Sequence, residues 1–293
     1  MALITVFTPT YNRAHLLHKC YESLCKQSCK DFVWLVIDDG SIDNTKMVVE
    51  GWQKGQKEFE IKYIFKENEG MHTAHNTAYA NIETELNVCI DSDDYLTDEA
   101  IERIKDCWLD NRDEKYAGII ALDIFNSGEI VGSSLPCDRK SIGITSYYTN
   151  GGTGDKKLIY RTEIMKKLPP YPVFEGEKYV GLSYKYTLAD QQYTLIILNF
   201  PVCVVEYMED GSSKNMFKQY LMNPKGFAFL RRVNMIYHPS QMRQYIECIH
   251  YVSSSMICRN KRFVKESPRK MMTVFALIPG CLLTIYVRRK VKK

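Results

Sequence analysis

Three carboxylates fall within four positions at Asp91-Ser92-Asp93-Asp94, directly after the apolar run 86–90. Two carboxylates one residue apart in an extended loop project to the same side and can converge on one hard divalent cation. Mg2+ or Mn2+ held by few carboxylates keeps coordination sites open for phosphate oxygens, which suits a nucleoside diphosphate. Asp93 and Asp91 are therefore the candidate metal ligands, with Asp94 beside them. A solvated acidic turn capping the next helix would use the same residues. Three more polar stretches end apolar runs in the same way: Thr8-Pro9-Thr10-Tyr11-Asn12-Arg13, Asp38-Asp39-Gly40-Ser41 and Asn68-Glu69-Gly70.

The elements that must position these loops alternate. Apolar runs at 3–7, 33–37, 61–65 and 86–90 read as strands, and Leu16, Leu17, Cys20, Tyr21 and Leu24 recur at helical spacing between the first two. A helix through Met47, Val48 and Trp52, capped by Asp43, follows the second run, and a helix rich in small residues at 71–82 follows the third. Beyond a helix at 97–109 the pattern predicts a strand at 118–125, a short strand and helix at 158–168, a helix ending near 191, and two strands at 195–198 and 202–207. The remainder reads as helices interrupted by Pro224, Pro239, Pro268 and Pro279. Strands apolar on both faces and separated by helices predict an α/β fold with a mainly parallel sheet covered on both sides. Ligands bind such sheets outside the carboxyl ends of the strands, and all four polar loops fall on that edge.

With 45% hydrophobic residues in 293, the chain can bury a substantial core and is not disordered. Its ten cysteines contain no CxxC pair, and Cys20, Cys25 and Cys29 have no zinc spacing, so reduced thiols in the cytoplasm are expected. MALITVFTPTYNR lacks a basic region ahead of a long apolar run, so no secretory signal is expected. The net charge of +4 is uneven: residues 259–293 carry +10 and residues 1–258 carry −6. In that basic tail, 271–287 is almost wholly apolar, interrupted by Pro279-Gly280 and flanked by Arg269-Lys270 and Arg288-Arg289-Lys290. Seventeen residues with a central Pro-Gly are marginal for a spanning helix, which needs about 20. Bases on both flanks favour an interfacial or re-entrant helix pair at the cytoplasmic face of a membrane. A helix docked on the body is the alternative. Nucleic acid is not expected, because no aromatic and basic residues interleave.

The ordered series Thr8-Pro9-Thr10-Tyr11-Asn12, Ile37-Asp38-Asp39-Gly40-Ser41 with Asp43-Asn44-Thr45, Asn68-Glu69-Gly70 through Asn76, and Asp91-Ser92-Asp93-Asp94 resembles family 2 glycosyltransferases of the GT-A fold. The likeness is specific over residues 3–110 and traceable to about 215, where the chain is similar to bacterial enzymes that build capsule, O-antigen and other surface polysaccharides. It implies a GT-A domain over 1–213, with a nucleotide-sugar half (1–110) and an acceptor half (111–213), followed by a helical extension over 214–293. Thr8, Thr10 and Tyr11 would line the nucleoside pocket, and Asp39 would accept a hydrogen bond from the base, favouring a uracil imide and hence a UDP-sugar. Asp91 and Asp93 match the DxD pair that ligates Mn2+ or Mg2+ or contacts the ribose, with Ser92 between them. His72 and His75 stand where relatives carry a small or basic residue and an arginine, as candidate phosphate contacts.

The same resemblance implies an inverting transfer whose general base is a carboxylate following a glycine at the start of a helix. Glu177 in Glu175-Gly176-Glu177-Lys178 matches it, with Glu175 second and Lys178 in place of the usual second acid. The loop 151–156 reads as a turn near the acceptor pocket, with Asp155 a candidate acceptor contact, and 209–213 as a flap over the donor. The expected activity is transfer to a saccharide, lipid-linked in the leading reading, by an enzyme peripheral on the membrane. Two alternatives are a sugar nucleotidyltransferase, whose glycine-rich basic signature is missing after the first strand, and a non-catalytic membrane-associated assembly protein, which Lys178 would suit.

Overall fold

Each apolar run of the first ninety residues is a strand. The computed structural model describes residues 2–206 and 215–292. In it β1 (Ile4–Thr10), β2 (Phe32–Asp38), β3 (Glu60–Phe65) and β4 (Leu86–Cys89) alternate with helices α1 (Leu17–Lys26), α2 (Thr45–Gly55) and α3 (Met71–Asn81). β1 pairs in parallel with β2 and β4, and β2 with β3, so the carboxyl ends of β3, β2, β1 and β4 lie side by side in that order. Successive side chains leave a strand on opposite faces. Ile4 and Val6 join Trp34, Val36, Leu17, Leu24 and Val49 in one core, while Phe7 points the other way, edge-on to His75 and Tyr79 of α3. Both faces are thus covered, as strands apolar on both sides require.

The same unit continues through β5 (Tyr95–Leu96), α4 (Ala100–Asn111), β6 (Tyr116–Ile124), β7 (Ser141–Ile142), α5 (Ile144–Thr149), β8 (Lys156–Arg161) and α6 (Thr162–Lys167). After α7 (Ser183–Ala189) the chain returns as β9 (Thr194–Val204). The sheet order is β3-β2-β1-β4-β8-β6-β9-β5, with β7 also on β9. β8 runs antiparallel to β4 and β6, and β5 and β7 run antiparallel to β9, while β6 and β9 are parallel. The sheet is therefore parallel across the loop-bearing first half and mixed beyond it. Where two strands were expected after 194, there is one. Pro201, which falls between the two expected strands, sits opposite Leu122 at a register shift in the β6–β9 pairing, where a missing N–H is tolerated.

The chain forms two units, Met1–Pro170 with Gln192–Tyr207, and Tyr171–Gln191 with Met208–Lys293. The second holds α7, α8 (Met216–Met222), α9 (Pro224–Tyr237), α10 (Gln241–Ile257), α11 (Phe263–Glu266), α12 (Lys270–Phe275) and α13 (Leu277–Lys292). α10 packs along α9, α12 and α13 around Met235, Cys248, Tyr251, Val252 and Ala276. Pro224 opens α9, where its missing N–H is no loss. Pro279 lies in the first turn of α13, and the Phe275 carbonyl that a 279 N–H would have bonded accepts from the Tyr245 hydroxyl at 3.3 Å instead. Among the described residues no helix is long and apolar enough to cross a membrane. The flap expected at 209–213 lies outside the described residues.

Candidate functional site

The loops after β1 and β2 are laced together. Asn12, in the left-handed region at φ 53°, donates its N–H to Ser41 Oγ and accepts the Ile42 N–H on its side chain, both at 2.8 Å. The Ala14 N–H reaches Asp43 Oδ2 at 3.0 Å, and the Asp39 N–H reaches the Thr10 carbonyl at 2.9 Å. Gly40 has φ +86°, and a Cβ there would lie 2.7 Å from the Asn68 nitrogen, so only glycine lets the β2 loop approach the Asn68-Glu69-Gly70 turn.

Asp39 pins that turn. Its Oδ1 accepts from Lys66 Nζ at 2.7 Å and from the Glu69 N–H at 3.1 Å, and its Oδ2 accepts from the Gly70 N–H at 2.8 Å. A carboxylate offers about four acceptor sites, so one remains on Oδ2 for an incoming donor. Neighbouring Asp38 is occupied by the Ser41 N–H and the Tyr63 hydroxyl. Thr10 Oγ1, at the end of β1, is buried with no hydrogen-bond partner among the described residues, whereas Tyr11 is exposed. Both stand at the carboxyl end of β1, where the nucleoside pocket is expected. Thr8 is instead fully buried, and its hydroxyl accepts from the Trp34 indole at 3.1 Å and lies 3.7 Å from Cys20, which makes it a core contact.

The acidic stretch after β4 is a turn, not the extended segment expected, because the Asp94 N–H closes back onto the Asp91 carbonyl at 3.0 Å. Asp93 pairs with Arg13 at 2.8 Å, which ties the turn to the β1 loop. Asp91 and Asp93 remain half-buried, and Ser92 is buried between them. Burial raises the Asp91 carboxyl, Lys157 opposes that, and the nearby Asp93 raises it further. Asp94 is turned inward: Oδ1 accepts the Glu206 N–H at 3.2 Å and Oδ2 stands 3.8 Å from Lys157. Burial pushes Asp94 up to about 7 despite that lysine. Asp94 is therefore a support of the turn, while Asp91 and Asp93 are its half-buried carboxylates. Among the described residues no three His, Cys, Asp or Glu side chains converge as a closed metal cage. Two mutually repelling carboxylates in an open turn do fit Mg2+ or Mn2+ completed by diphosphate oxygens.

Lys157 is the residue that sequence reasoning missed. It projects from β8 with its ammonium 3.8 Å from both Asp94 and Asp123, and Asp123 on β6 is 2% exposed. Burial alone would lower the lysine; Asp123, Cys203, Asp94 and Asp91 outweigh it and hold Lys157 charged. The available signal was Asp123 itself, a lone acid in the apolar run 117–125 that demanded a buried cationic partner.

The two histidines are not at the loop surface. His72 and His75 are buried on α3, and His75 packs edge-on to Phe7 and lies 3.6 Å from the Cys89 sulfur. Burial of both side chains in α3 places them away from the loop surface where the phosphate contact was expected. In the second unit, Glu177 does not open the following helix, because α7 begins only at Ser183. Its two oxygens accept the N–H groups of Lys225 and Gly226 at 2.9 and 2.8 Å, capping α9 from outside. Asn223 returns the contact by accepting the Lys178 N–H at 2.8 Å. Glu175 is exposed, and its backbone carbonyl accepts from Lys225 Nζ at 3.3 Å. Asp155 is exposed at the end of its loop.

Residues 5–168 match the family described as "Glycosyl transferase family 2". Glycosyltransferase GlyA of Streptococcus pneumoniae is 32% identical over 101 residues, covering 34% of this chain and 14% of that protein. The GalNAc(5)-diNAcBac-PP-undecaprenol beta-1,3-glucosyltransferase of Campylobacter jejuni is 32% identical over 121 residues, covering 41% of this chain and 37% of that protein. The chain thus spans well under two thirds of the length of either relative. Among solved structures, S. aureus TarS 1–349 in complex with UDP-GlcNAc superposes with a TM-score of 0.63 at 18% identity over 94% of this chain and 80% of that one. Mannosyltransferase PcManGT from Pyrobaculum calidifontis, in complex with GDP-Man and Mn2+, superposes with a TM-score of 0.58 at 16% identity over 97% and 87%. The matched segment holds all four polar loops and covers more than half the sequence, so the chain belongs to glycosyl transferase family 2.

Proposed function

We propose that the protein is an inverting, metal-dependent glycosyltransferase that moves a sugar from a nucleoside-diphosphate donor, in first place a UDP-sugar, to a saccharide acceptor. One observation carries this reading: the carboxyl ends of β2, β1 and β4 bring together Asp39 with one unused acceptor site, the unpartnered Thr10 hydroxyl, and the Asp91–Asp93 pair. A uracil imide N–H suits the open site on Asp39, and a cytosine, which has no such N–H, does not. Asp91 and Asp93 would hold Mn2+ or Mg2+, which offsets charge on the leaving diphosphate when bound. The relatives point the same way, one solved with UDP-GlcNAc and another with GDP-Man and Mn2+.

In the transfer, the acceptor hydroxyl oxygen bonds to the anomeric carbon from the face opposite the diphosphate. The bond to the diphosphate breaks, and the hydroxyl proton passes to a base. The resemblance assigned that base to Glu177. With both oxygens bonded to backbone N–H groups, Glu177 is better suited to hold the loop, and we assign the proton to Glu175, whose carboxylate is exposed. A second reading is favoured by the same clamp together with Lys178: an assembly protein that binds donor without turning it over. Thermal melting with UDP-, GDP- and TDP-sugars and Mn2+, followed by donor hydrolysis and transfer assays, tests both. Stabilisation by a UDP-sugar and metal-dependent release of UDP supports transfer, and binding with no turnover favours the assembly protein.

The acceptor reading extends to a lipid-linked saccharide, as in the name of the Campylobacter relative. The basic tail fits a peripheral place on the cytoplasmic face of an anionic membrane, where such acceptors lie.

A further inference from the structure

The two faces of the α12–α13 segment differ sharply. Thr273, Ala276, Gly280, Thr284 and Val287, at steps of three and four, are buried. Gly280 is required there because a Cβ would meet Val252 Cγ1 at 2.5 Å, and Thr284 Oγ1 donates to Ser253 Oγ at 3.1 Å. This face packs on α10, and α13 also meets α8. Met271, Phe275, Ile278, Leu282 and Ile285 recur at the same spacing on the other side, and each is 49–75% exposed, while Tyr286 at the margin of the row packs edge-on against Phe217 of α8. Such a row of large apolar side chains in water signals an interaction surface.

The charges say what covers it. Exposed Arg269 and Lys270 stand at one end of the row and Arg288, Arg289 and Lys290 at the other, and no acidic residue occurs from 267 to 293. Two copies meeting on this row would bring like charges together, and a neutral apolar partner would leave five cations without counter-charge. An apolar layer bordered by anionic groups satisfies both features at once.

We infer that the outward face of α12–α13 lies in the plane of an anionic lipid bilayer, with the apolar row in the acyl boundary and the flanking bases at the headgroups. This rests on the peripheral-membrane reading above and adds the face and the orientation. The segment neither crosses nor re-enters. The break at Ala276 keeps the row on one side, and both basic ends meet the same leaflet.

Co-sedimentation of the full chain with phosphatidylcholine vesicles, with and without phosphatidylglycerol, tests it. The wild type should pellet with the anionic vesicles only, and Ile278→Asp with Leu282→Asp should weaken partitioning by at least about tenfold. Met242→Asp, at an equally exposed apolar site on α10, should leave it unchanged. Circular dichroism confirms that each variant is folded, and Leu282→Trp supplies a second readout, a blue shift in emission on adding anionic vesicles. If the wild type binds and the double variant binds equally, or Leu282→Trp does not shift, the face is wrong and the membrane reading stands. No pelleting of the wild type overturns both. A lipid-free dimer that the double variant dissociates would show that a second copy covers the row, and overturns the inference.

Discussion

Asp39 carries the most specific chemical statement at the scale of one residue. Asp39→Asn replaces an acceptor oxygen with an amide, so UDP affinity should fall by about tenfold or more, the cost of a hydrogen bond to a charged group. For the wild type CDP should bind more weakly than UDP by a similar factor, which nucleotide titration reads directly. Asp94 makes a pH prediction. Burial raises it to about 7, so between the ordinary carboxyl range near 4 and that value the folded state keeps a proton the unfolded chain has released. Its contribution is present below about pH 4 and lost as pH rises through about 7, and Asp94→Asn should flatten the slope of melting temperature against pH across that window. Glu177→Gln should cost about 1–3 kcal/mol through the lost charged cap, seen in denaturant melts, with donor affinity unchanged. If turnover falls far more than stability, Glu177 is the base after all.

At the scale of elements, the sequence made most of the sheet legible because each early strand is an apolar run cut off by a polar stretch. The same period-two and period-3.6 arithmetic found α1, α2 and α4 to within a few residues. What it missed is long-range. Nothing local tells that Glu177 meets an N-terminus 48 residues on, that Lys157 lies between two acids of different elements, or that Pro201 falls on a bulge instead of a strand end. The histidines of α3 misled for the related reason that burial is not visible in a polar letter. Among the candidate site residues, Asp39, Thr10, Tyr11, Asp91 and Asp93 were legible because strand-end loops of a parallel sheet converge by topology alone. Gly40→Ala tests that convergence: its left-handed φ and the 2.7 Å approach to Asn68 predict a loss of about 1–3 kcal/mol. Weaker UDP binding should accompany it, read by thermal shift.

For the whole molecule, the acidic body and the basic tail divide the work by charge. The −6 of residues 1–258 includes the carboxylates proposed to face the donor, and the +10 of the last 35 residues lies on the segment whose outward row is apolar. A family 2 sheet in one unit and a helical unit with a one-sided apolar helix are both consistent with chemistry performed on an acceptor held at a surface. Donor binding is the claim on which the rest depends. Calorimetric titration of UDP into the wild type and Asp93→Ala, each with and without Mn2+, measures it directly. The account predicts binding to the wild type that strengthens with Mn2+ and is lost in Asp93→Ala. Binding that is indifferent to Mn2+, or that survives intact in Asp93→Ala, would contradict it.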